Sequence, residues 1–205
     1  MRRFAPIAAA IAIGLAASCT AAISRRGGDG PTLDQDIAAE ISKDEAMVWA
    51  GRRPLVWPDF KGRPPAEVSA VAAQTNYALL HGARCTGAKF EFRVVAAFLP
   101  NESWVRPAML RGPAESARAL KHEQTHFDVT EVHARRLRRY YAELMAPCRL
   151  ASNDLAAAAS RIGRDEKAAQ VQYDAETDNG RTPAQQARWD RDIAGQLTAL
   201  AKYTR

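Results

Sequence analysis

Residues 112–147 read GPAESARALKHEQTHFDVTEVHARRLRRYYAELMAP. Gly112-Pro113 opens the stretch, Pro147 closes it, and neither Gly nor Pro interrupts the residues between the two prolines. Proline is pre-set for the first helical position, and a helix stops before the next one. The stretch therefore predicts one long helix from Pro113 to about Met145. Val129, Leu137, Tyr140 and Leu144 form its apolar stripe, on the side that carries His122, His126 and His133. Those histidines thus face the interior of the fold.

The chain has four histidines, and two of them bracket His122-Glu123-Gln124-Thr125-His126. Residues four apart on a helix lie one turn apart on the same face. Two neutral imidazoles so placed can bind one zinc ion, and the adjacent Glu123 can act as general base on water. The alternative is a polar helix that happens to carry two histidines.

A catalytic zinc site takes three protein ligands and keeps one open position. His133 lies about 10 Å further along the helix than His126, too far to share an ion with it. No Gly breaks the helix to bring it back, so His133 reads as a core or supporting group. Asp128 and Glu131 point to the other side, where Asp128 fits a role bracing a neighbouring loop. A second helix, predicted from about Ser152 to Thr177, offers better donors. Running back antiparallel to the first, it brings Tyr173-Asp174-Ala175-Glu176-Thr177 level with the two histidines. Glu176 shares the inward face with Tyr173 and is the preferred third ligand; Asp174 is the second choice. Tyr173 is a candidate oxyanion donor or a core residue, with core the simpler reading.

A third helix is predicted from Thr182-Pro183-Ala184-Gln185, which has capping-box form, with Trp189, Ile193, Leu197 and Leu200 on its buried stripe. Upstream, Leu33 to Met47 is a weak helix candidate. Leu55-Val56-Trp57, Val68 to Leu80 and Lys89 to Leu99 are strand-like runs, with turn residues from His81 to Gly87. Together these predict an α+β domain: a small antiparallel sheet of about three strands, followed by a helical bundle carrying the long HExxH helix.

The N-terminus reads as an export signal. Arg2-Arg3 is a positive start, and Phe4 to Ala17 is an uncharged apolar run too short for a comfortable membrane span. Ala16-Ala17-Ser18-Cys19 resembles a lipoprotein box, which would make Cys19 a lipidated N-terminus tethering the protein to a membrane; ordinary cleavage near Cys19-Thr20-Ala21 is the alternative. Three cysteines leave one unpaired if a disulfide forms, and Cys19 is the natural remainder. Cys85 and Cys148 then form a disulfide in an exported, oxidising setting, or stay as two buried thiols. The division is a signal over residues 1–19, a tether and weak helix over 20–44, and a metallopeptidase domain over 45–205.

The net charge is +6, two of it from Arg2 and Arg3. Arg135, Arg136, Arg138 and Arg139 look like a basic patch. However, Glu131 can pair with Arg135, and Glu143 with Arg139, at i,i+4. The patch reads as a solvated helix face, and no nucleic-acid motif accompanies it.

Trp57-Pro58-Asp59-Phe60 with Gly62, Ser103-Trp104-Val105, the extended His122-Glu123-Gln124-Thr125-His126-Phe127-Asp128, Tyr173-Asp174 with Glu176-Thr177, and Gln186 with Trp189 stand in one order along residues 45–200. In this the chain resembles a family of bacterial exported proteins, catalogued as a domain of unknown function and predicted to be secreted zinc-dependent proteases. The resemblance implies a Zn²⁺ cofactor, a peptide or protein substrate and an envelope location. Members of that family often carry a His just before the Gly that follows the Glu-Thr pair. Here Asn179 precedes Gly180, which leaves Glu176 or Asp174 for the third position.

Overall fold

The structure is a computed structural model that describes residues 22–23, 32–66 and 71–204. The segments read as an export signal, a lipoprotein box with Cys19, and most of a tether lie outside the described residues.

A two-stranded antiparallel hairpin forms the centre of the sheet. Its strands pair in register from Tyr77↔Phe98 to Thr86↔Lys89. With β1 at Ala22–Ile23, β2 at Met47–Val48 and β3 at Ala73–Gln74, the hairpin strands are β4 (Tyr77–Thr86) and β5 (Lys89–Phe98). β2 extends the sheet antiparallel to β5, and β1 lies parallel to β4, giving the order β1-β4-β5-β2. The sheet is therefore mixed at one edge. Ala22–Ile23, within the stretch read as tether, takes the outer edge of β4, whose unpaired backbone groups invite a partner. A separate two-stranded sheet joins β3 to β6 (Trp104–Val105).

The turn expected across His81–Gly87 is not there. Strand pairing continues to Thr86, and Gly87-Ala88 alone makes the reversal, with Gly87 at φ 61. That left-handed backbone is where a two-residue hairpin needs Gly. The physical cause of the misreading is local composition: Gly82 and Ala83 are poor strand formers read alone, yet they pair with Arg93 and Phe92 in the ladder. Ala78, Leu80, Val95, Ala97 and Leu99 pack under Ile37 of α1 (Leu33–Lys43). Leu79, Val94, Ala96 and Phe98 pack on the opposite side against Phe127, Ala134, Leu137, Ala159 and Ile162 of the helices. Two-sided burial is thus confined to the Tyr77–His81 and Val94–Phe98 end of the hairpin, while Arg84, Glu91 and Arg93 nearer the turn stay partly exposed.

Leu55-Val56-Trp57 is also not a strand. Residues Trp57–Asp59 form a single 3-10 turn, and side chains take the preceding amides: Gln124 Oε1 accepts from Leu55 N at 2.7 Å and Asp59 Oδ2 from Val56 N at 2.9 Å. Trp57 Nε1 donates to Ser116 Oγ at 2.8 Å. This motif thus anchors the incoming chain to the helix that carries the histidines.

That helix, α2, spans Pro113–Glu143 and contacts β4, β5 and both later helices. α3 spans Ser152–Thr177 and α4 Pro183–Ala199. The capping box expected at Thr182 does not form; one forms instead at Thr32, whose Oγ1 accepts from Gln35 N while Gln35 Oε1 accepts from Thr32 N. Cys85 at the end of β4 and Cys148 after α2 stand as a disulfide, Cα–Cα 5.6 Å. Among the described residues no helix is long and apolar enough to cross a membrane.

Arg139 is exposed and Arg136 half-buried, but Arg135 and Arg138 of the arginine-rich stretch are not solvated. Glu131, Arg135 and Arg138 are 2 %, 5 % and 5 % exposed. Glu131 Oε1 accepts from Arg135 Nε at 2.8 Å and from Arg138 Nη1 at 3.0 Å. The guanidiniums also donate to carbonyls of Val94, Leu197 and Tyr203. α4 and the residues after it close over this face. A helical wheel cannot foresee such a cover, because it knows only the geometry of one helix.

Candidate metal centre

α2 and α3 run side by side, and their facing turns bring three ligand atoms together. Among the described residues, His122, His126 and Asp174 each offer an atom within 4.8 Å of the others. His122 Nε2 and His126 Nε2 are 3.2 Å apart, and Asp174 Oδ1 lies 3.1 Å from the first and 3.0 Å from the second. The two histidines are buried, whereas the Asp174 side chain is 43 % exposed. The cluster therefore has one side towards solvent.

Asp174 takes the place expected for Glu176. Glu176 turns instead towards α4, where its Oε2 accepts from Trp189 Nε1 at 2.8 Å and its Oε1 from Gln172 at 2.7 Å. α3 has two neighbours: Tyr173 points between them, Asp174 towards α2 and Glu176 towards α4. The sequence reading allowed for α2 alone.

Glu123 is buried, and its Oε2 has no hydrogen-bond partner among the described residues. A buried carboxylate oxygen left this way costs free energy, so such groups mark places where another ligand belongs. Burial works against a charge on His126, but the charge and hydrogen bond of Asp174, the charge of Glu123 and the hydrogen bond of Gln170 outweigh it and hold the imidazole at about 9. Burial likewise opposes charge on Asp174, and the two histidines prevail, holding its carboxyl well below the usual range.

These opposite shifts set a sign. With His126 raised from 6.5, its pairing stabilises the chelator-treated fold fully below pH 6.5, and that stabilisation is lost as pH rises through about 9. With Asp174 lowered from 3.8, its contribution is present above that pH and lost on acidification. Chelated protein is expected to have its highest Tm between these limits and a lower Tm at pH 9–10. Thermal melts across pH in excess chelator measure this; a Tm that rises from neutral pH to pH 10 would contradict the paired geometry.

The other residues singled out in the sequence fall into supporting places. His133 is buried: its Nδ1 donates to Val129 O at 2.9 Å, its Nε2 accepts from Arg136, and desolvation pushes it down to about 4. Asp128 Oδ1 accepts from Trp49 Nε1 and from Gln124 Nε2, both at 2.8 Å, so it does brace a neighbouring segment. Tyr173 is fully buried, with its ring stacked on His122 at 4.6 Å. Its hydroxyl donates to Gln186 Oε1 at 2.8 Å and lies 3.3 Å from His122 O. That proton is committed inside the fold, which removes Tyr173 as an oxyanion donor.

Three contacts around the histidines give residues a part that the sequence did not, Gln186 and Gly180 standing there only within the family resemblance. Gln170 Oε1 lies 2.6 Å from His126 Nδ1, and Gln186 Oε1 lies 3.2 Å from His122 Nδ1. Glu166, fully buried beside Thr130 and Gln170, reaches hydrogen-bond geometry with neither, and burial pushes its carboxyl up to about 7. Helical spacing held a signal for part of this: Glu166, Gln170 and Asp174 recur every four residues along α3.

After the two glutamines, the third contact with a histidine is made by Gly180. Asp178, Asn179 and Gly180 all have positive φ (51, 52 and 78), and this turn folds the chain back over the first histidine. A Cβ on Gly180 would stand 3.0 Å from both Cβ and Cγ of His122. Gly180→Ala therefore strains the backbone and pushes the imidazole off its position. The expected result is at least a tenfold loss in Zn²⁺ affinity, of the size seen for residues that orient ligands, read by chelator competition; wild-type affinity would refute the contact.

Fold and site together define an α+β domain whose sheet backs a helical bundle with a His-His-Asp cluster. The chain belongs to the family described as bacterial protein of unknown function (DUF922), whose model matches residues 60–182. That span runs from Phe60, just after the 3-10 turn, to the residue before α4, and holds His122, Glu123, His126 and Asp174. No curated protein and no solved structure matches the chain.

Proposed function

We propose that the protein is a zinc-dependent metallopeptidase of the bacterial envelope. The observation that carries this reading is the convergence of His122 Nε2, His126 Nε2 and Asp174 Oδ1 beside Glu123, whose buried Oε2 has no hydrogen-bond partner among the described residues. Two imidazoles and one carboxylate are a donor set suited to zinc, and three protein ligands leave a position for reactants, as catalytic rather than structural sites do. The exposed side of Asp174 favours that open arrangement over a sealed structural ion.

A zinc ion held there supplies Lewis acidity to a carbonyl and makes water easier to deprotonate. The remaining steps belong to the chain. His122 and His126 must be neutral to donate, so the proton held on His126 leaves as the ion enters. Glu123 accepts a proton from the attacking water and returns it to the departing amine. Burial of His122, Glu123 and His126 sharpens each of these charge interactions. The export signal and the lipid box at Cys19 support an envelope location with a peptide or protein substrate, the membrane tether being part of the same proposal.

Metal analysis of protein purified after zinc-replete expression tests the reading. The wild type is expected to hold about one Zn²⁺ per chain, as one His-His-carboxylate site requires, and His126→Ala to hold none. Glu123→Gln is expected to keep the zinc and to lose hydrolysis of a mixed peptide library by about 10²–10⁴-fold. Zinc absent from the wild type would sink the metalloenzyme reading. Zinc present with undiminished hydrolysis in Glu123→Gln would remove Glu123 from the mechanism.

A further inference from the structure

Each histidine of the site touches a glutamine from another helix, and the orientation of each glutamine is decided by a third group. Gln170 Nε2 donates to the backbone carbonyl of His126 at 3.0 Å and to Thr130 Oγ1 at 3.3 Å. A backbone carbonyl can only accept, so the amide NH₂ must face it and Oε1 must face the ring. Gln186 Nε2 donates to Asp190 Oδ1 at 2.9 Å, with Thr125 Oγ1 at 3.4 Å. Asp190 Oδ1 is itself an acceptor, receiving the Thr125 hydroxyl at 2.9 Å. Gln186 Oε1 is thereby turned to the ring of His122 and also takes the Tyr173 hydroxyl.

The consequence is the same for both histidines. A glutamine carbonyl oxygen has no proton to give, so the Nδ1 that meets it must carry one. With Nδ1 protonated, a neutral ring keeps its lone pair on Nε2. The two Nε2 atoms are the ones that face each other and Asp174. Two independent chains of hydrogen bonds, one from α3 and one from α4, end at one point.

We propose that Gln170 and Gln186 are the positioning residues of the zinc site, fixing both histidines with Nδ1 protonated and Nε2 aimed at the ion. The proposal rests on the metallopeptidase reading for the identity of the ion, and on hydrogen bonds alone for the state of the rings. It gives α4 a share in the site although α4 supplies no ligand: Gln186 and its anchor Asp190 lie one helical turn apart on it.

The test has two arms. In the first, Gln170→Met and Gln186→Met keep side-chain length while removing the acceptor. Each is expected to lower Zn²⁺ affinity by about 10–100-fold, read by competition with a chelating indicator. Gln172→Met, on the exposed side of α3, is the control expected to leave affinity unchanged. In the second arm, heteronuclear NMR locates the ring protons of wild-type protein with and without zinc. Without zinc, and at a pH where both rings are neutral, each ring is expected to keep its proton on Nδ1, and each Met variant to lose that preference on its own histidine; with zinc, donation from Nε2 puts the proton on Nδ1 in every variant that binds. Wild-type zinc affinity in both Met variants, or an unprotonated Nδ1 on either ring of the wild type, overturns the proposal. A wild type that binds no zinc defeats the metallopeptidase reading instead. The ring protons of the zinc-free protein then still decide the role of the glutamines, as they do if a variant fails to fold.

Discussion

Asp174→Ala is expected to abolish stoichiometric Zn²⁺ binding, while Glu176→Ala leaves it at the wild-type level. Asp174 Oδ1 reaches both imidazoles within 3.1 Å, whereas Glu176 is bound to Trp189 and Gln172. Removing a direct donor should exceed the roughly 10–100-fold loss typical of residues that merely orient one. The change also withdraws the charge that holds His126 up. A chelated Asp174→Ala protein should therefore lose the pH dependence of Tm described for the wild type. Metal content and competition titration of the two variants side by side measure the effect. Equal losses in both, or loss in Glu176→Ala alone, would place the third ligand on the wrong face of α3.

The largest effect on stability is expected at Glu131→Ala, at about 3–5 kcal/mol, because it strips the counter-charge from two buried guanidiniums. For a domain of this size that is a fall of roughly 6–20 °C in Tm. Arg135 and Arg138 keep their bonds to the carbonyls of Leu197, Val94 and Tyr203. Those dipoles do not neutralise a full charge, so the guanidiniums remain desolvated without a carboxylate. Chemical denaturation of zinc-free protein isolates this from ion binding. A loss below about 1 kcal/mol, the range of exposed pairs, would mean that water reaches the cluster.

The helices were legible in the sequence because their ends are written in local chemistry. Pro113, Pro147 and Pro183 mark boundaries that the structure keeps within a few residues. His122 and His126 were legible for the same reason, since helical spacing is local. What failed depends on neighbours. The β4–β5 turn was placed too early because Gly82 and Ala83 read as turn residues until Arg93 and Phe92 pair with them across the ladder. Arg135 and Arg138 were given to solvent because α4 and the chain after it cover them from more than fifty residues away. Glu176 was preferred to Asp174 because the inward face of α3 is shared between two partners. Gln186 was visible only as part of the family resemblance and Gln170 only through its spacing from Asp174, and neither showed its role: a glutamine becomes a hydrogen-bond anchor only once helices dock.

The covalent link between Cys85 and Cys148 pins the start of α3 to the tip of the hairpin. From Ser152 to Asp174 the helix then runs about 33 Å as a lever, and a tilt of only about 3° at the pinned end would sweep Asp174 through about 2 Å. That sweep is wide enough to open or crush a cluster whose atoms sit near 3 Å. The staple therefore sets where the lever turns, and the bonds near its far end, from Gln170 to His126 and from Tyr173 to Gln186, set how far. Loosening those distant bonds, with the disulfide intact, is the economical way to vary the bite of this site on an ion.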